Sequence, residues 1–257
     1  MYFTTIVSGS SGNCILVSSG NTTLLVDGGC SVKALKAGIQ ELAIPPQSIK
    51  GMLITHEHAD HVSGAARICR AFDIPLYASE KTWEALPFRD EYFTAERHKF
   101  AYGMTIGDLS IDFFRLSHDS VQPVGFVFSH GGKRVGIATD TGMVTQSMLR
   151  LLQNVHGLVL EANHDADMLR RGPYPFPLKQ RVISQQGHLS NDQAANLLLT
   201  ISGENTRQVL LAHLSAVNNR PDLARTAVEQ AIKGSPYHDH LSIHIAPRKK
   251  PHPLLEV

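Results

Sequence analysis

Four metal-capable side chains crowd into His56-Glu57-His58-Ala59-Asp60-His61. They follow the apolar run Gly51-Met52-Leu53-Ile54, which is short enough for a buried strand, and they precede residues 62–72, which suit a helix. A strand-to-helix loop therefore carries all four. His56 and His58 are two apart, so in extended backbone they project the same way and can hold one cation between them. Asp60 and His61 point elsewhere and suit a second cation close by. Two half-sites side by side are how hydrolytic two-metal centres are built, with ions roughly 3.5–4 Å apart. Ligand types this dense after a buried strand outweigh the alternative of a solvated surface loop.

The rest of the chain limits what surrounds that loop. Its 257 residues are read as a single domain, 1–257, with ample material for a core. Apolar content of 42% and charged content of 18% fit a globular protein. No apolar run reaches the roughly 18 residues of a membrane span, and residues 1–5 lack a signal-peptide pattern, so no membrane association is expected and cytoplasmic is the default location. Cys14, Cys30 and Cys69 cannot all pair and form no C-x-x-C motif, which reads as free buried thiols in a reducing compartment. Cys30 is read as a packing thiol rather than a ligand. A net charge of +1 argues against broad coating of nucleic acid and leaves room for a local groove.

Taken in order, residues 2–7 read as a strand, followed by Ser8-Gly9-Ser10-Ser11-Gly12-Asn13. This small polar run is a hairpin turn, a loop whose N–H and hydroxyl groups hold an anion, or both. Strands at 14–18 and 22–26 flank Ser19-Gly20-Asn21, and the second ends in Asp27, in position to cap a helix near 31–40. A strand at 74–78 follows. Residues 79–103, with Trp83, Phe88, Tyr92 and Phe93, are the least readable stretch, taken as a packed surface excursion ahead of base stacking. Strands at 104–107, 110–116, 124–129, 134–138 and 158–160, with a helix at 145–153, lead to Glu161-Ala162-Asn163-His164. Residues 166–186 are basic and proline-rich, with Arg170, Arg171, Lys179 and Arg181. Helices at 191–202 (N-cap Ser190 or Asn191) and 222–233 (opened by Pro221) bracket a strand at 208–212. A last strand at 241–245 precedes residues 248–257, expected to be a frayed tail.

His118, Asp140 and His213 each follow an apolar strand, as His56 does, and in layered α/β folds such carboxyl ends gather on one edge. Leu24-Leu25-Val26-Asp27 echoes Ile137-Ala138-Thr139-Asp140, and the run into His56 echoes the run into Glu161. The echoes suggest two similar halves facing each other.

The order His-x-His-x-Asp-His, His, Asp, His resembles the metallo-β-lactamase superfamily. The resemblance implies an α/β four-layer αββα sandwich with pseudo-two-fold halves. It implies that His56, His58 and His118 bind one metal, that Asp60, His61 and His213 bind the other, and that Asp140 reaches both. Two divalent ions (zinc, manganese or iron) would then share a bridging water or hydroxide as nucleophile, and Asp27 would support the ligand loop from behind. A cluster left positive by two dications favours an anionic substrate such as a phosphodiester.

The runs at 9–13, 118–119, 161–165 and 187–191, together with His213-Leu214-Ser215 and Asn218-Asn219, further resemble the YycJ (WalJ) family, over residues 6–230. That family is cytoplasmic and associated with nuclease activity, including 5′-to-3′ DNA exonuclease activity. The likeness implies a nucleic-acid partner, DNA ahead of RNA. It also implies catalytic roles for Asp60, Glu161, His164 and His188, with His188 at the phosphate or the leaving oxygen unless it merely caps a helix. Ser10, Ser11, Asn13, Asn218 and Asn219 are the expected substrate contacts. Competing readings are a hydrolase of a small phosphodiester, lactone or thioester, and a non-catalytic metal-dependent regulator. Oligomeric state is left open, a homodimer included.

Overall fold

The computed structural model describes residues 1–88, 97–100 and 103–257, so Tyr92 and Phe93 lie outside the described residues. Two seven-stranded sheets form its centre. The first contains β1 (Tyr2–Val7), β2 (Cys14–Ser18), β3 (Thr23–Val26), β4 (Ile49–Leu53), β5 (Leu76–Ser79) and β6 (Arg97–Phe100), with β14 (Leu255–Glu256) beside β1. The second contains β7 (Met104–Ile106), β8 (Leu109–Arg115), β9 (Val124–His130), β10 (Lys133–Ala138), β11 (Gly157–Glu161), β12 (Gln208–Ala212) and β13 (Ser242–Ile245), in that spatial order.

Each sheet changes from antiparallel to parallel at the strand that precedes a site aspartate. β2 pairs antiparallel with β3, and β3 pairs parallel with β4 through helix α1 (Val32–Glu41). β9 pairs antiparallel with β10, and β10 pairs parallel with β11 through α5 (Gln146–Leu152). This is the physical content of the two echoing halves. The parallel strands β11 and β12 are buried on both faces and read as continuous apolar runs, whereas β8 alternates buried and exposed residues.

Three apolar clusters make four layers. Phe3, Val17, Leu24 and Leu53 of the first sheet meet Phe126, Phe128, Ile137 and Val159 of the second between the sheets. Outside the first sheet, Leu35 and Ile39 of α1 pack with Ile68 of α3 (Ala65–Phe72) and Trp83 of α4 (Glu80–Ala85). Outside the second sheet, α5, α8 (Asn191–Ile201) and α9 (Pro221–Ile232) cover β11 and β12. The expected αββα sandwich is therefore the observed one. Trp83 is buried, with Nε1 donating to the His98 carbonyl, so it packs rather than offering a stacking face.

Four local differences from the sequence reading have clear causes. The helix expected over 62–72 breaks into α2 (Ala59–Val62) and α3, because Gly64 passes so close to the Cys30 carbonyl that any Cβ would overlap it. The unassigned basic stretch 166–186 contains α6 (Ala166–Arg171), capped by the Asp165 side chain, and α7 (Phe176–Ile183), which has proline in its first turn. A helix α4 and strand β6 lie within 79–103. Residues 248–257 are not frayed: β14 pairs with β1, Leu255 joins the inter-sheet core, and Arg248 Nη1 donates to the Leu214 carbonyl. An apolar residue every few positions gives the tail something to bury, and the free edge of β1 gives it a ladder to join.

Candidate metal centre

Five strand ends face one another across the junction of the two sheets: β3 (Asp27), β4 (His56), β10 (Asp140), β11 (Glu161) and β12 (His213). Asp27, Asp140 and His213 have φ of 64°, 61° and 56°. L residues adopt this left-handed conformation at a cost, and it recurs where the surrounding structure fixes a functional side chain. Here it turns each chain sharply so that the side chain enters the site.

Hydrogen bonds decide which nitrogen of each histidine is free. His118 Nδ1 donates to the Gly187 carbonyl at 3.1 Å, and His58 Nε2 donates to the Asp119 carbonyl at 3.2 Å. That leaves His118 Nε2 and His58 Nδ1 as lone pairs, and these two atoms lie 3.3 Å apart. His56 Nε2 is buried and has no hydrogen-bond partner. The first half-site is thus His56 Nε2, His58 Nδ1 and His118 Nε2.

On the other side His61 Nδ1 is 2.7 Å from Asp27 Oδ2, and His213 Nδ1 is 3.0 Å from Glu161 Oε1. Their Nε2 atoms each lie 3.5 Å from Asp60 Oδ2. Asp140 stands between the half-sites, with Oδ2 3.2 Å from His61 Nε2 and Oδ1 3.9 Å from His118 Nε2. Carboxylate–imidazole pairs of this kind fix the ring and raise its basicity toward a cation. Asp27 also accepts from the Thr55 amide at 2.8 Å and from its hydroxyl, so one buried carboxylate holds the start of the ligand loop and His61 together.

The donor set fits divalent cations. His56 Nε2, His213 Nε2 and Asp140 Oδ2 are buried without a hydrogen-bond partner, a cost a protein rarely carries unless something satisfies them. His56, His58 and His118 converge as one group, Asp60, His61 and His213 as another, and Asp140 converges with His56 and His61. Cys30 belongs to none of these groups among the described residues and packs in the core instead. Protonation reports the same field. Burial opposes charge on His213, but the Asp140, Asp60 and Glu161 carboxylates outweigh it and push the ring up to about 10. Burial is likewise overcome at His61 by Asp140 and Asp27, which raise it. Burial lowers His56 and His118, keeping both neutral. Burial disfavours the Asp60 and Asp140 anions, yet the surrounding imidazoles hold both below the usual carboxylate range. Without a cation, protons occupy the His61 and His213 positions.

With this geometry in view, comparison with known proteins is decisive. Residues 22–214 match the β-lactamase superfamily domain. The chain belongs to the metallo-β-lactamase superfamily. It is 36% identical to the exodeoxyribonuclease YycJ of Bacillus anthracis, over 98% of this chain and 97% of that one, which places it in the YycJ/WalJ family. It is 38% identical to the exodeoxyribonuclease WalJ of Streptococcus pneumoniae, over 89% of this chain and 87% of that one. The metallo-β-lactamase fold protein YhfI of Bacillus subtilis shares the architecture, with a TM-score of 0.72 at 19% identity over 98% of both chains.

Beside the candidate metal donors sits a second layer of polar residues. Glu161 is fully buried and accepts four hydrogen bonds, from His188 Nδ1 (2.7 Å), His213 Nδ1 (3.0 Å), Thr141 N (3.0 Å) and Leu189 N (3.2 Å). Burial opposes its charge, but His188 and His213 hold it down to about 2. Its oxygens are spent on positioning. His188 resists burial through Glu161, which raises its pKa, and its ring lines the cavity.

A cavity of about 210 Å³ opens over the centre. Ser10, His58, Asp60, His118, Asp140, His188 and His213 line it, as the sequence reading expects. Ser11 is exposed and does not line it. Three other expected contacts do not line it either. Asn13 is buried and holds Asp60 Oδ2 at 3.3 Å and His61 Nε2 at 3.1 Å. Asn219 is buried and donates to the Ala162 carbonyl and to Asn191, and Asn218 is buried against Gly172. Asn219 fixes the loop that follows His213, Asn218 Oδ1 is buried without a hydrogen-bond partner, and both lie outside the cavity lining. His164 is also outside the lining, and burial lowers it to about 4. Sequence reasoning missed Asp119, Asn163, Tyr174, Arg181 and Ser215 as lining residues. Asp119, Asn163 and Ser215 stand in runs that carry the family resemblance and Arg181 in the basic run, whereas Tyr174 carried no readable signal.

Proposed function

We infer that the chain is a metal-dependent hydrolase of phosphodiester bonds that acts as a nuclease at nucleic-acid ends, with DNA ahead of RNA. The observation that carries this reading is the convergence of His56, His58 and His118, and of Asp60, His61 and His213, on either side of Asp140 at the floor of the cavity. The full-length likeness to proteins named exodeoxyribonucleases selects the substrate class.

Two divalent ions are the occupants this donor set suits, one per triad, with Asp140 shared. Four of its five histidine donors are Nε2 atoms and two carboxylates join them, a mixture that zinc, manganese and iron all accept. When bound, such ions supply Lewis acidity toward water and phosphoryl oxygens. The protein's own residues do the rest. Asp27 and Glu161 orient His61 and His213. Asn13 fixes the Asp60 carboxylate against the β4 loop. His188 keeps Nδ1 on Glu161 and lines the cavity, which suits it to protonate the leaving oxygen. Ser10 offers a hydroxyl to a phosphate oxygen. Asn163 Nδ2, donating to the His213 carbonyl at 3.0 Å, steadies the turn that aims His213. Three free buried cysteines agree with a reducing, cytoplasmic setting.

The test incubates metal-loaded protein with end-labelled single- and double-stranded DNA and RNA, alongside a lactone and a thioester. Stepwise shortening of DNA is the expected result. Turnover of the small esters alone would replace the nuclease reading with that of a small-ester hydrolase.

A further inference from the structure

Arg181 is the one lysine or arginine among the described residues that line the cavity. It shares a wall with Leu178 and Val182, which lie on the same face of α7. Its Nε donates to Asp119 Oδ2 at 2.6 Å, and the other oxygen, Asp119 Oδ1, lies 3.3 Å from His118 Nε2. A single carboxylate thus spans from the guanidinium to the first half-site. With Nε pinned, the two Nη groups have no partner among the described residues and present a planar fork of N–H donors. Of the other basic groups of this segment, Arg170 pairs with Asp167 at 2.6 Å, Lys179 donates to the Arg170 carbonyl at 2.8 Å, and Arg171, 3.9 Å from Asp167, does not line the cavity. Tyr174 stands on the same rim, half-buried.

The cavity's size limits what meets this fork. At about 210 Å³ it is smaller than the roughly 300–1,000 Å³ of pockets that enclose a drug-sized ligand, so it takes a strand end rather than a duplex. Arg181 lines the same cavity as His58, Asp60, His118 and His213, so a nucleotide whose scissile phosphate lies over these residues is within the walls that Arg181 helps to form. A terminal phosphate monoester bears close to two negative charges, more than a diester, and offers three oxygens to a fork.

We propose that Arg181, positioned by Asp119, grips a terminal phosphate monoester on the nucleotide beside the scissile bond, so that phosphorylated ends are the preferred substrates. This rests on the nuclease reading above. Arg181 is the specificity residue, and Asp119 acts through it.

The experiment compares metal-loaded wild type with Arg181→Met and Arg181→Lys on one DNA sequence bearing a 5′-phosphate, a 3′-phosphate or hydroxyl ends. Wild type is expected to favour one phosphorylated end by about tenfold or more in kcat/KM, as one or two charge-assisted hydrogen bonds provide. The preferred arm identifies which end enters. Arg181→Met is expected to bring that ratio near one, with the loss carried by KM rather than kcat. Arg181→Lys should fall between, since it keeps the charge and loses the fork. Asp119→Asn should lower the ratio in wild type and have no further effect on it in Arg181→Met, the signature of two residues acting as a unit. DNA hydrolysis without an end preference, or a preference that survives Arg181→Met, would overturn the proposal and leave the nuclease reading standing. Absence of DNA hydrolysis overturns both.

Discussion

Asp27 shows how much of the centre hangs on a residue that is not itself a ligand. It holds Thr55, at the start of the His56–His61 loop, and His61, a candidate ligand at the loop's end, through one carboxylate. Asp27→Asn keeps the shape but removes the acceptor from one side, and should weaken metal binding about 10–100-fold in a titration followed by calorimetry. Unchanged affinity would mean that His61 needs no such partner. Protonation gives a second expectation at this scale. His213 is raised from 6.5 to about 10, so in metal-free protein the folded state holds a proton that the unfolded chain has released. Stability from this group is complete below about pH 6.5 and is lost as pH rises through 10. Chelated protein should therefore melt at lower temperature at pH 9.5 than at pH 7, and equal melting temperatures would contradict it. The converging histidine and aspartate side chains were legible because their types and spacing are chemical facts of the sequence. Asn13, Asn218 and Asn219, read as substrate contacts, lie outside the cavity lining, because nothing in a sequence distinguishes a polar residue facing a cavity from one buried beside it.

At the level of elements, strand ends position the site and one helix cap steadies it. Ser190 accepts from Gln193 N while the Gln193 side chain returns to Ser190 N, closing a capping box at α8. His188 and Leu189, immediately before it, contact Glu161. Ser190→Ala should cost about 1 kcal/mol in urea unfolding and should lower kcat as well, because the segment carrying His188 loosens. A stability loss with kcat unchanged would separate the cap from the site. Gly29 is equally exacting, since a Cβ there would overlap the Asp60 carbonyl and push the ligand loop away. The long strands and α8 and α9 were readable from apolar period and caps. The helices α6 and α7 were not, because they are short, the prolines between them and in α7 read as breakers, and their apolar face is only a few residues long. That α7 forms a cavity wall is a fact of tertiary packing.

Across the whole molecule, the tail closes the first sheet. β14 covers the edge of β1, and Leu255 enters the same core that joins the two sheets. Removing residues 251–257 should expose that edge and lower both the urea midpoint and the unfolding free energy, the latter by roughly the 1.5–3 kcal/mol of one buried leucine plus its ladder bonds. An unchanged midpoint would show that the tail contributes no stability. The sandwich could be foreseen from the ligand order and the two echoing halves, whereas tail docking depends on an edge that exists only once β1 and β2 have paired. The halves bring Asp27 and Asp140 to equivalent turns, and the site exists only where the two sheets meet.

The most direct measurement follows DNA-end hydrolysis together with bound metal for wild type, chelated wild type, His58→Ala and Asp140→Ala. Wild type is predicted to bind divalent metal and to release nucleotides from the ends of DNA. Chelation should abolish that activity and re-addition of metal restore it, while both variants should lose metal and fall at least 100-fold in rate, as the loss of a group on which the nucleophile depends implies. Full DNA hydrolysis by metal-free protein would contradict the account.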